Sequence, residues 1–218
     1  IALFGNRVVG WKVGRVHEPL ATELGTTRLA GPIFADSVVV ADDGVAVDMP
    51  VFAGGFAAVE AEMLLHVARP AVDPASLDDA GILALIDAVH VGIEIASSPF
   101  PGINALGPLV TASDFGNNAG LVVGPALPGW QDRDLRKLHA ALAINDVEQG
   151  AGDMSALPGG PLESVRFLLT NLIERGLAGQ EPLWVSAGAI TGVHVILPGS
   201  EAEARFDGNL VVRCRTVA

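Results

Sequence analysis

The stretch FAAVEAEMLLHV, Phe56–Val67, decides how this chain is read. Its odd positions, Ala57, Val59, Ala61, Met63, Leu65 and Val67, are all apolar, whereas the even ones are Phe56, Ala58, Glu60, Glu62, Leu64 and His66. In a strand, side chains alternate between faces. One face here is then pure core and the other carries two carboxylates about 7 Å apart. In a helix Glu60 and Glu62 would diverge by about 200° and converge on nothing. Only the strand gives the pair a shared purpose. Two glutamates on an apolar strand cost too much to bury unpaired, so either their face is solvated or a cation sits between them.

Working outward, Val91–Ile95 (VGIEI) sets Glu94 inside a second apolar strand, where a lone ionised carboxylate is hard to justify. Three carboxylates on neighbouring strands make an all-oxygen site, suited to Mg2+ or Mn2+ rather than Zn2+. Lys12 is the other unexpected charge, inside VVGWKVG (Val8–Gly14). It either snorkels from a strand edge or faces a ligand that Gly10 and Gly14 allow to approach closely. Ser113–Asn118 (SDFGNN) is a polar loop of the kind that forms turns. Cys214, in an apolar C-terminal strand, reads as inert, and His66, His90 and His194 read as satisfied core or strand residues.

Composition narrows the partners. The 218 residues are 50% hydrophobic, enough for a full core in one domain spanning 1–218. Thirteen Lys and Arg against 25 Asp and Glu give a net charge of −12, which repels nucleic acid and anionic membranes alike. Mean hydropathy is +0.45, yet the most apolar stretches break at charges or glycines far short of a bilayer span. One cysteine excludes a disulfide framework and a thiolate metal site. The chain starts at Ile1 without Met, and Ile1–Gly10 lacks the pattern of a signal peptide; it reads as a fragment or trimmed form of a cytoplasmic protein. There is no P-loop, no G-x-G-x-x-G after a strand, and no zincin or nucleophile-elbow motif.

The 26 glycines and 14 prolines are spread evenly, so short elements alternate with turns. Strands are expected at Arg7–Val13, Ser37–Ala41, Val89–Ile95, Gly120–Val123, Leu183–Ala187, His194–Leu197, Glu201–Phe206 and Asn209–Arg215. One helix is expected to start at a capping box of Ser76 and Asp79, with Ile82, Leu83, Leu85, Ile86 and Val89 as its apolar set. A second should run from about Pro161 to Arg175, burying Val165, Leu168, Leu169, Leu172 and Ile173, with Gly176 just past its end. Without regular βαβ alternation, this is a β-rich α+β domain rather than a doubly wound sheet.

The ordered set Gly10–Gly14 (GWKVG), Leu29–Asp36 (LAGPIFAD), Val59–Glu62 (VEAE), Gly92–Ser97 (GIEIAS), Ser113–Gly124, Leu162–Gly176, Val185–Gly192 (VSAGAITG) and Ala204–Arg213 is specific. Through it the chain resembles the 2-keto-4-pentenoate hydratase and 4-oxalocrotonate decarboxylase group of the fumarylacetoacetate hydrolase superfamily. The resemblance implies a mixed β-sandwich roll of that superfamily's C-terminal-domain type, with a helical lead-in before Gly5 that this chain lacks, and a homo-oligomer. It implies that Glu60, Glu62 and Glu94 hold Mg2+ or Mn2+ and that Lys12 and Asp114 are catalytic. Lys12, Arg15, His17, Asn117 and Thr191 would meet a small 2-oxo or 2-hydroxydienoic acid.

Glu as the third ligand favours the hydratase branch over the hydrolase branch. The activity implied is therefore hydration of a 2-hydroxy-2,4-dienoate to a 4-hydroxy-2-oxo acid, in aromatic-compound catabolism. Decarboxylation of a 2-oxo diacid, C–C hydrolysis of an acylpyruvate, and non-catalytic binding of a 2-oxo acid are the alternatives. Three departures from the pattern stand out: Arg15 is followed by Val16-His17-Glu18 where a Thr-Ser-Lys stretch is implied, Leu29 replaces an acid, and Phe115 replaces an Asn. The metal cradle is kept while substrate-facing residues have changed, which implies a different substrate or partial reaction.

Overall fold

The computed structural model describes residues 7–69, 73–179 and 181–218; the implied lead-in before Gly5 lies outside them. In chain order, β1 (Val8–Arg15) is followed by the short helix α1 (Leu20–Leu24), β2 (Arg28–Phe34), β3 (Val38–Val40) and β4 (Ala46–Pro50). The long strands β5 (Phe56–Val67) and β6 (Ile86–Ser98) flank α2 (Asp79–Leu83). Next come α3 (Pro108–Ser113), β7 (Asn118–Ala126), β8 (His139–Ile144) and β9 (Val147–Asp153). Helix α4 (Gly160–Glu174) precedes β10 (Leu183–Ala189), β11 (His194–Val195), β12 (Glu201–Phe206) and β13 (Leu210–Val217).

Eight strands form one sheet, in the order β2-β1-β10-β5-β6-β7-β3 with β11 paired to β5, and five form a second, β4-β13-β12-β8-β9. Both are mixed: β1 with β10, β3 with β7 and β4 with β13 are parallel pairs between strands distant in sequence. Strands β2 and β3 are consecutive in the chain yet end the first sheet on opposite sides, so that sheet curls back on itself. Inside the curl, Ile33, Leu64, Leu121 and Val123 pack together. This is the β-rich mixed sandwich roll the sequence implies.

The curl explains why β5 is apolar at most positions. Its odd residues Val59, Ala61, Met63 and Leu65 face the main core, which the second sheet supplies with Leu142, Ala204, Phe206 and Val212. Helix α4 seals the same core with Val165, Leu168, Leu169 and Leu172, while Ile173 is exposed. Each such aliphatic side chain contributes roughly 1.5–3 kcal/mol on burial. The even face of β5 looks into the roll and is covered too. No helix among the described residues is long and apolar enough to cross a membrane.

Two expectations need correction. The helix drawn from Ser76 to Val89 is cut short: Asp78 caps it by accepting from the Gly81 N–H at 2.8 Å, and it ends at Leu83. Ile86 instead pairs with Val67 and starts β6, because the long hairpin with β5 buries Ile86 and Val89 better than one more helical turn would. Strands β2, β4, β8 and β9 were not expected. Strand β2 contains Gly31-Pro32, a turn signal, but it is a sheet edge, where proline's missing N–H is harmless.

Candidate metal centre and cleft

Antiparallel pairing of β5 and β6 sets Glu60 directly opposite Glu94, and Glu62 opposite Gly92. All three carboxylates look into the roll and are buried, with 5%, 1% and 0% of their surface exposed for Glu60, Glu62 and Glu94. A solvated face is thereby excluded. One oxygen from each lies within 4.8 Å of the others. Lys12 reaches them from β1 across the inside of the roll, its Nζ 3.2 Å from Glu94 Oε1, and does not snorkel out.

The oxygens are held selectively. Asn118 Nδ2 donates to Glu94 Oε1 at 3.1 Å, so Lys12 and Asn118 share that atom. Glu94 Oε2 is buried without a hydrogen-bond partner among the described residues. Glu62 Oε2 accepts from the Ser186 hydroxyl and, at 3.0 Å, from the Gly188 N–H. Fully ionised, three carboxylates against one ammonium would leave two uncompensated negative charges, and this crowding opposes their ionisation. Burial pushes Glu60 up to about 7, opposed by Lys12 and reinforced by Glu94. Burial, Glu94 and Glu60 push Glu62 well above the ordinary carboxylate range, against the hydrogen bond from Ser186. Burial alone would lower Lys12, but Glu94, Glu60 and Glu62 outweigh it and leave its ammonium harder to deprotonate than usual. An orphaned carboxylate oxygen, carboxylates that resist ionisation without a further cation and an all-oxygen donor set fit one hard divalent cation.

A turn built from SDFGNN closes over Lys12. Phe115, Gly116 and Asn117 all adopt left-handed backbone, at φ 54°, 69° and 56°. A Cβ on Gly116 would lie 2.9 Å from Lys12 Cδ, and one on Gly31 would lie 1.9 Å from the Phe115 carbonyl oxygen, so both positions demand glycine. The turn buries Asn117, whose Nδ2 donates to Asn104 Oδ1 at 3.0 Å while its Oδ1 makes no hydrogen bond among the described residues.

Above Glu60 a cleft of about 710 Å³ opens, lined by Lys12, Arg15, His17, Asn117 and Thr191 among others. The structure thus brings together every site residue expected from the sequence except Asp114. Asp114 follows α3, its carbonyl accepts from the Asn117 N–H at 2.6 Å, and it does not line the cleft; the left-handed turn presents Asn117 there instead. Thr191 Oγ1 is buried and unpartnered among the described residues. Leu29 lines the cleft beside Gly14, where the resemblance implies an acid. Sequence reasoning missed Asn104, Asn118 and Ser186 as partners of site residues; only the polarity of Ser186 inside an apolar strand signalled anything. Cys214 is buried, its thiol pushed up to about 12 by burial, consistent with an inert residue.

No family model matches the chain. It is 28% identical over 215 residues to 4-oxalocrotonate decarboxylase of Pseudomonas putida, covering 98% of this chain and 79% of that one. Among solved structures, the 4-oxalocrotonate decarboxylase of Pseudomonas putida G7 complexed with magnesium and adipate superposes with a TM-score of 0.81 at 25% identity, over 99% of this chain and 80% of that one. Fumarylpyruvate hydrolase of Pseudomonas aeruginosa, in complex with Mn2+ and pyruvate, shares the fold at a TM-score of 0.72 and 17% identity, over 97% and 91% of the two chains. The resemblance to the fumarylacetoacetate hydrolase superfamily therefore holds along the whole chain.

Proposed function

We propose that this protein is a divalent-metal-dependent lyase, and that its reaction is loss of CO2 from a 2-oxo diacid of the 4-oxalocrotonate kind. The observation that carries this reading is the buried trio Glu60, Glu62 and Glu94, with Lys12 on its third member, under a cleft lined by Arg15 and His17. Glu60, Glu62 and Glu94 would hold Mg2+ or Mn2+. That ion, when bound, supplies a Lewis acid for the carboxylate and 2-oxygen of a 2-oxo acid.

The chain's own residues divide the remaining work. Lys12, kept protonated by its three carboxylate neighbours, serves as a fixed cation rather than as a base, and offsets charge that develops on the 2-oxygen. Thr191 and Asn117, which line the cleft and whose Oγ1 and Oδ1 make no hydrogen bond among the described residues, would orient the substrate. Arg15 or His17 meets the distal carboxylate. In the reaction the carbon–carbon bond to that carboxylate breaks and CO2 leaves. The electron pair moves through the conjugated double bond to the 2-oxygen, which takes a proton to give a 2-hydroxydienoate. Leu29 on the cleft wall beside Gly14 stands where the resemblance implies an acid for proton handling, and loss of that acid favours CO2 loss over hydration.

Hydration of a 2-hydroxy-2,4-dienoate is the second reading, favoured by Glu18 and Asp153, which line the cleft outside the metal trio. The deciding experiment incubates the protein and Mg2+ with 4-oxalocrotonate and, separately, with 2-hydroxypenta-2,4-dienoate. The first reading expects stoichiometric CO2 and accumulating dienoate, both lost in a folded Glu60→Gln variant. Water addition to the dienoate without CO2 release from the diacid selects hydration. Binding of oxalate with no turnover of either substrate leaves a non-catalytic 2-oxo-acid binder.

A further inference from the structure

The last pair that β10 makes with β5 sets Ala189 opposite Glu62, and β11 rejoins β5 with His194 opposite Val59. The returning chain takes five residue steps, 189 to 194, where β5 takes three, 62 to 59. Two extra residues therefore arch away from the sheet beside Glu60, as in a bulge that re-aims a side chain. The Ile190 N–H anchors one end of the arch on the Ala61 carbonyl at 2.9 Å, and the Ile196 N–H follows its other end on the Ala57 carbonyl at 3.0 Å. Between them Thr191 lines the cleft, its buried Oγ1 without a partner among the described residues. Gly188 and Gly192 stand on either side of Thr191 with φ of 120° and 95°, so the arch turns on two joints that carry no side-chain restraint.

His194 closes the arch. Its ring is half-buried and sets Nε2 2.8 Å from the Thr191 carbonyl oxygen, three residues back. A carbonyl only accepts, so Nε2 carries the proton. The second sheet braces the same point through its edge strand β9. A Cβ on Gly150 would lie 2.9 Å from the Thr191 carbonyl oxygen and 3.0 Å from His194 Cε1, and one on Gly152 would lie 2.9 Å from the Ile190 carbonyl oxygen. Two bare Cα atoms on one face of β9 thus seat the arch from below. The Thr191 carbonyl is held between an imidazole N–H and a glycine of the opposite sheet, and that grip fixes where the Thr191 hydroxyl enters the cleft.

We infer that His194 is a positioning residue: it does not line the cleft, but by holding the Thr191 carbonyl it aims the Thr191 hydroxyl at the carboxylate of a bound 2-oxo acid. The inference rests on the reading of the cleft as a 2-oxo-acid site above the metal trio, and adds to it a residue remote from the ligand.

The test is calorimetric titration of the Mn2+-loaded protein with oxalate, beside titration of the metal-free protein with Mn2+. In His194→Leu, oxalate affinity should fall about tenfold or more, the scale of one hydrogen bond to a charged acceptor, while Mn2+ affinity stays within about twofold. His194→Gln, whose amide N–H can reach the same carbonyl, should recover most of the loss. Thr191→Val should reproduce it, and His194→Leu combined with Thr191→Val should bind oxalate no more weakly than Thr191→Val alone, because the histidine acts only through the threonine. If His194→Leu does not melt cooperatively, Gly150→Ala, which crowds the Thr191 carbonyl and the His194 ring from the opposite sheet, takes its place with the same expectation. Unchanged oxalate affinity in the folded variants, or additive losses in the double variant, overturns the inference. So does a matching fall in Mn2+ affinity, which makes His194 a support of the metal cradle instead. A wild-type protein that binds Mn2+ but no oxalate overturns the reading of the cleft as well, whereas CO2 release together with oxalate binding indifferent to His194 overturns this inference alone.

Discussion

If Glu60, Glu62 and Glu94 hold the ion, metal and protons compete for the same oxygens, and affinity falls steeply as pH drops through a range where ordinary carboxylates would show almost no change. Glu60 titrates at about 7 rather than the ordinary 4.5 in the metal-free protein. Between about pH 8 and about pH 6 its protonation alone weakens metal binding about tenfold, or roughly 1.4 kcal/mol. Glu62, displaced in the same direction, steepens the fall. A carboxylate at its ordinary value would change affinity by only a few per cent over that range. The stability consequence has a definite sign. A carboxyl raised in the folded state contributes stability that is fully present below its unfolded value and is lost as pH rises through about 7. On this account the metal-free protein is less stable at pH 8 than at pH 6, while the gain from metal is larger at pH 8. With metal at about 100 times its Kd, binding adds about 2.7 kcal/mol, a rise of about 5–10 °C in Tm for a chain of this length. At pH 6 the same metal concentration gives about half that rise. Calorimetric titration with Mn2+ in buffers of different ionisation enthalpy measures both the affinity and the protons released. Equal affinity at the two pH values, with no proton release, refutes the argument, because the ion then binds where no raised carboxylate is displaced.

Ser186→Ala removes one of two donors to Glu62 Oε2 and leaves the Gly188 N–H, so metal affinity should fall by about 10–100-fold without loss of fold, read by the same titration. Lys12→Met leaves the ion in place, since Lys12 repels it, but removes the cation that faces the 2-oxygen; turnover should drop by about 100-fold or more while the Kd for Mn2+ stays level or tightens. Leu29→Glu restores an acid on the cleft wall near Lys12, and should raise the ratio of hydration to CO2 release measured on one diacid substrate. An unchanged ratio removes Leu29 from the argument for decarboxylation.

The site was more legible than the scaffold that supports it. Period-two alternation in Phe56–Val67 places Glu60 and Glu62 on one face with no knowledge of the fold, and the burial cost of Glu94 draws it to them. What alternation cannot show is that both faces of β5 are covered, since that depends on the sheet curling around Ile33, Leu64, Leu121 and Val123. Strands β8 (HAALAI) and β9 (VEQGAGD) carry little β-branched signal; they form a local hairpin, and only the pairing of β8 with β12 is long-range. The Ser76–Val89 error has the same origin: Ile82, Leu83, Ile86 and Val89 suit a helix locally, and the hairpin register with β5 overrides them from Ile86 onward. Asp114 lies off the cleft for a different reason. Three successive left-handed residues, two of them not glycine, are a conformation no propensity foresees, and they decide which side chain of SDFGNN enters the cleft.

That turn also ties the closure of the roll to the chemistry of the site. The Phe115 carbonyl rests against the bare Cα of Gly31 on the edge strand β2, and the next residue, Gly116, rests against the stem of Lys12. Lys12 in turn shares Glu94 Oε1 with Asn118, the first residue of β7. Strands β1 and β7, each next to an end of the curled sheet, therefore meet on one carboxylate oxygen, while the other oxygen of Glu94 has no partner among the described residues. A buried acceptor that the fold itself leaves unsatisfied destabilises the metal-free state, and the same vacancy in its bonding is what a divalent ion would fill. Closure of the roll and creation of the candidate metal site are thus one structural event, and a substitution that loosens Gly31 from the turn must be felt at Glu94.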